Sequence, residues 1–129
     1  MSMQTRFENA YVLNVMADDH PGIVAAVSDT VGRLGGNIDA CSQTVLGGYF
    51  TLIMIVSLPQ PIDPGSLASE VRGPESARTG FQVAARPYVE PAQAHDGAES
   101  DRFVVTAFGK DKPGIIGRFS RYLAGKDIN

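Results

Sequence analysis

The chain reads as an α+β fold, βαββαβ, with a four-stranded antiparallel sheet and two helices on one face, followed by the start of a second copy of the same unit. Three observations predict it. Hydrophobic periodicity switches between two and 3.6 in an orderly sequence. A Gly47-Gly48 pair sits between two strand-like runs. The stretch from Tyr11 to Asn37 aligns without a gap on Phe103 to Asn129, matching Val12/Val104, Asp19/Asp111, Pro21/Pro113, Gly22/Gly114, Ile23/Ile115, Ser28/Ser120 and Asn37/Asn129 at a constant offset of 92 residues. A fixed offset is the signature of a repeated module.

Each element has its own signal. Residues Ala10 to Ala17 alternate, with Tyr11, Leu13 and Val15 on one side and Val12, Asn14 and Met16 on the other, which predicts a strand. After Asp18-Asp19-His20, Pro21 is expected at the first helical position, and Ile23, Val24, Val27, Val31 and Leu34 then recur at helical spacing until Gly35-Gly36. Ile38 to Leu46 and Tyr49 to Leu58 read as a hairpin, because paired glycines supply the positive φ of a tight turn. A short helix is predicted over Gly65 to Arg72 around Leu67 and Val71, ending at Gly73-Pro74, and Phe81 to Val89 alternates as a fourth strand. Right-handed crossovers then put both helices on one face. The run from Tyr49 to Val56 is apolar on both sides, so something else is expected to pack on this sheet.

The predicted domain boundaries are 1–89 for the first module, 90–101 for a polar linker (EPAQAHDGAESD from Glu90) and 102–129 for the strand and helix that open a second module. That unit, with a strand from Phe103 to Phe108 and a helix bearing Ile115, Ile116, Phe119 and Leu123, would leave apolar side chains uncovered by itself. Asn129 is therefore expected to be a truncation point, the alternative being a short chain that tucks this unit against the first sheet.

Composition narrows the chemistry. A net charge of −3 argues against direct nucleic-acid binding. The single Cys41 rules out an intrachain disulfide and suits a reducing cytoplasm, and on a strand it reads as a small packing residue. The amino terminus has no signal-peptide core, and Leu52 to Val56 is too short to span a bilayer. His20 and His95 alone build neither a catalytic triad nor a metal site, and no phosphate loop is present, so no enzyme activity, cofactor or metal is expected.

Asp19-His20-Pro21-Gly22-Ile23 is the candidate site. Amides at the start of a helix attract an anion, Gly22 clears space beside them, Asp19 suits a ligand ammonium, and Asn37 offers both donor and acceptor. Each also has a structural reading: Asp19 satisfying helix amides, Gly22 allowing close packing, Asn37 occupying a turn.

The segment Asp18-Asp19-His20-Pro21-Gly22-Ile23, followed by Gly35-Gly36-Asn37-Ile38, resembles an ACT domain, the amino-acid-sensing regulatory module. Lys110-Asp111-Lys112-Pro113-Gly114-Ile115, with Ile128-Asn129, resembles it equally. Two such modules resemble the glycine cleavage system transcriptional repressor group. The resemblance implies a ferredoxin-like module and a small amino acid held between paired modules. Its contacts would come from Asp19, His20, Pro21, Gly22, Ile23 and Asn37, and from Asp111, Lys112, Pro113, Gly114, Ile115 and Asn129. It also implies homodimer or inter-module sheet pairing and a regulatory protein partner. Serine-sensing members carry histidine and asparagine where this chain has Ala17 and Asp19, a departure from serine specificity. The rival expectations are the regulatory front end of a formyltetrahydrofolate deformylase or phosphoserine phosphatase, and an oligomerisation module without ligand.

Overall fold

The computed structural model describes residues 4–73, 80–90 and 115–127. The chain divides into two compact units, Met1–Gly97 and Ala98–Asn129. The first contains β1 (Asn9–Asp18), α1 (Ile23–Arg33), β2 (Asn37–Leu46), β3 (Tyr49–Leu58), α2 (Pro64–Arg72) and β4 (Gln82–Pro87). In the second, the helix α3 (Ile115–Gly125) is described. The expected strand Phe103 to Phe108 and all of the expected linker after Glu90 lie outside the described residues.

The sheet order is β2-β3-β1-β4, antiparallel throughout, which is the ferredoxin-like arrangement expected from the alternating periods. Register explains the two faces. Leu13 pairs with Met54 and Val15 with Leu52, and these residues are buried under Ile23, Val27 and Val31 of α1 and Leu67 and Val71 of α2. Both helices thus cover one face. The opposite face carries Asn14, Met16, Thr51 and Ile53, away from α1 and α2, and Ile53 is 50% exposed. Period two in β1 therefore reports this one-sided burial, whereas β3 carries apolar side chains on the open face as well.

The punctuation is equally local. At the β2–β3 turn Gly47 and Gly48 have φ of 60° and 85°, the pair of positive values that a two-residue hairpin needs. Helix α1 ends in a paired cap: Gly35 N donates to Gly32 O and Gly36 N to Val31 O, both at 2.9 Å. Helix α2 starts at Asp63, whose side chain accepts from Ser66 N at 3.1 Å, with Pro64 in the first turn. Tyr11 ties the β3–α2 connection to the sheet, its hydroxyl donating to Ile62 O and accepting from Ile62 N, each at 2.8 Å.

Two expectations need correction. Pro21 is not the first helical residue: α1 begins at Ile23, and Gly22 caps it with φ 95° and ψ −1°. The chain turns through a left-handed residue before entering the helix, which periodicity alone does not reveal. Cys41 is exposed on β2 instead of packed, because β2 is an edge strand reaching beyond the helix layer.

Candidate functional site

The segment between β1 and α1 is positioned from two sides. Asp19 N donates to Gly48 O at 3.0 Å, holding it against the hairpin tip, and the His20 ring stacks on Phe81 with centroids 6.1 Å apart. His20 Nδ1 lies 2.9 Å from Pro21 O, and because a carbonyl oxygen only accepts, Nδ1 is the donor. Nε2 is buried and has no hydrogen-bond partner among the described residues. The Ile23 side chain is part of the core.

The amino terminus of α1 is open. No side chain caps it, and the first intrahelical bond runs from Ala26 N to Gly22 O, so the amides of Ile23, Val24 and Ala25 come before the ladder starts. Asp19 is exposed and does not cap the helix, which disposes of that structural reading. A Cβ added at Gly22 would meet nothing within 4 Å, so close packing is not its role either. Gly22 is required by its left-handed φ, and it borders free space beside the amides.

Asn37 is the first residue of β2, not a turn residue. Its Nδ2 donates to Asp39 Oδ1 at 2.8 Å and to Ile38 O at 3.3 Å. The register places it at the far end of the sheet from the loop: Asn37 pairs with Ser57, while Asp18 pairs with Tyr49. Eight strand residues at the usual rise separate those ends by about 27 Å. Within one module, then, Asp19, His20, Pro21, Gly22 and Ile23 are brought together and Asn37 is not. Asp111, Lys112, Pro113, Gly114 and Asn129 lie outside the described residues, and Ile115 opens α3.

Two features had no signal in the sequence. Asp39 sits at a bulge where the β2–β3 register shifts between Ile38 and Ala40, and bulges carry no residue signature of their own. On the open sheet face, Asn14, Ser42, Thr44, Thr51 and Ile53 line a shallow hollow of about 280 Å³. Among the described residues no cluster of His, Cys, Asp or Glu could hold a metal, and no helix is long and apolar enough to cross a membrane.

The ACT domain family pattern matches residues 9–84, from the first residue of β1 into β4. The chain belongs to the ACT domain family. ACT domains are regulatory modules that bind small amino acids and often oligomerise. A UPF0237 protein of Streptococcus mutans serotype c is 42% identical over 59 residues, covering 46% of this chain and 67% of the relative. A protein of unknown function from Galdieria sulphuraria has the same fold at a TM-score of 0.62 and 27% identity, over 92% of this chain and 65% of its own. An ACT domain protein from Streptococcus pneumoniae aligns at a TM-score of 0.52 and 32% identity, over 61% of this chain and 89% of its own. A candidate glycine cleavage system transcriptional repressor shares the fold at a TM-score of 0.53 and 20% identity, over 94% of this chain and 67% of its own.

Proposed function

We propose that this ACT protein is a non-catalytic cytoplasmic regulator that binds a small amino acid between two paired modules. It passes that signal on by protein contacts, in the transcriptional control of glycine or related amino-acid metabolism. The observation that carries the reading is the separation of the two half-sites. One half, the open end of α1 beside Gly22, suits a carboxylate; the other, Asn37, stands at the opposite end of an edge strand.

Pairing closes that gap. If β2 of one module runs antiparallel to the equivalent strand of another, the start of the second strand lies beside Leu46 of the first. That end carries the hairpin to which Asp19 is bonded. Such pairing also covers the exposed edge, and strand edges left open seek a partner. The partner module is a second copy of this one; Asp111, Lys112, Pro113, Gly114, Ile115 and Asn129 repeat the sequence pattern.

The test is a thermal-shift series on the intact protein with each common amino acid. A ligand bound by the folded state raises the melting temperature by mass action, so a concentration-dependent rise with one or a few small amino acids is expected. No shift at millimolar concentration with any of them rejects the sensor and leaves an oligomerisation module.

A further inference from the structure

We propose that Asp39, and not Asp19, receives the ammonium group of the amino-acid ligand; the assignment rests on the sensor reading above. Asp39 is half-buried at the β2 bulge. Its Oδ1 accepts from Asn37 Nδ2 at 2.8 Å and from Arg6 N at 3.0 Å. Its Oδ2 is buried and has no partner among the described residues. The Arg6 guanidinium does not supply one, lying instead over the Phe7 ring at 5.5 Å from the centroid.

A carboxylate oxygen withdrawn from water without a donor is costly, and the missing group is a cationic or polar N–H. Asp19 has no such deficit, because it is exposed and water already satisfies it. A zwitterionic amino acid bridging two modules needs opposite poles at its ends. The open α1 amides of one module form the positive pole. Asp39, joined to Asn37 by a hydrogen bond, forms the negative pole of the other.

The segment that supplies Arg6 N lies beside Asp39 and is bonded to β3 through Phe7 N, which donates to Ser57 Oγ at 3.1 Å. Because Oδ2 is buried, ligand binding there requires this segment to move aside. The bulge matters because it takes Asp39 out of the regular ladder and re-aims its side chain.

The experiment compares glycine with glycolate, which replaces the ammonium by a hydroxyl, in calorimetric titrations of the intact protein and of its Asp39→Asn, Asp39→Glu and Asp19→Asn forms. The native protein is expected to prefer glycine by at least about tenfold, in keeping with a hydrogen bond to a charged group. Asp39→Asn is expected to remove that preference, and Asp39→Glu to retain part of it. The preference is a ratio, so it does not depend on how much of a variant is folded. An undiminished preference in Asp39→Asn, or a preference lost on Asp19→Asn alone, overturns the assignment while leaving the sensor intact. Absence of binding by the native protein to glycine and to every other common amino acid overturns both.

Discussion

At the scale of single residues, two glycines make opposite demands. Gly22 has open space around it but a φ of 95°, so Gly22→Ala is expected to cost about 1–2 kcal/mol from backbone strain alone, read from urea unfolding midpoints. Gly22→Asp adds a like charge where the proposed ligand carboxylate would sit and is expected to abolish amino-acid binding in calorimetric titration. Gly36 has no positive φ but no room: an added Cβ would lie 2.4 Å from Leu58 Cδ2 and 2.9 Å from Ser57 O. Since the second neighbour is backbone, Gly36→Ala is expected to lose about 1–3 kcal/mol through overpacking, and a stability within error of the native protein would contradict the close approach of α1 to β3. The sequence repeat pointed to Gly22 and Asn37 but not to their reasons. Pro21 was legible as helix punctuation and displaced by two positions from the helix start, because the left-handed turn at Gly22 intervenes. Asp39 was not legible at all, since its character comes from a bulge and from burial under Arg6.

At the scale of elements, legibility followed the strength of local physics. The hairpin was plain because only glycine readily takes two consecutive positive φ values, and α1 because its apolar spacing runs unbroken between a proline and a glycine pair. Helix α2 has few apolar residues, yet Asp63-Pro64 cap it and Leu67 is fully buried against the sheet. Asp63→Ala is expected to destabilise the module by about 0.5–2 kcal/mol in thermal melts, because Ser66 N loses its acceptor. No loss would mean that packing of Leu67 and Val71 holds the helix without its cap. Sheet order was not written in any single strand. It followed from the handedness of crossovers, a rule about chains in general, and the observed β2-β3-β1-β4 order agrees with it.

At the scale of the whole molecule, the central matter is association. Leu46 and Tyr49 are 80% and 58% exposed beside the hairpin tip, and the neighbouring β2 edge is free of any partner among the described residues. Light scattering at micromolar concentration is expected to give at least twice the mass of one chain, since the edge and these apolar side chains favour pairing. A stable monomer would contradict it. The sequence made the two-sided apolar character of β3 legible but could not place the half-sites, because the distance between Gly22 and Asn37 depends on strand register.

The most direct test is calorimetric titration of the intact protein with glycine, serine and the other common small amino acids. The expected result is saturable heat with at least one of them, weakened by about 1–3 kcal/mol in Asn37→Ala, the usual consequence of leaving a buried polar partner unmade. Absence of heat for every amino acid at millimolar concentration would contradict the sensor. Binding unaffected by Asn37→Ala would contradict a site shared between paired modules.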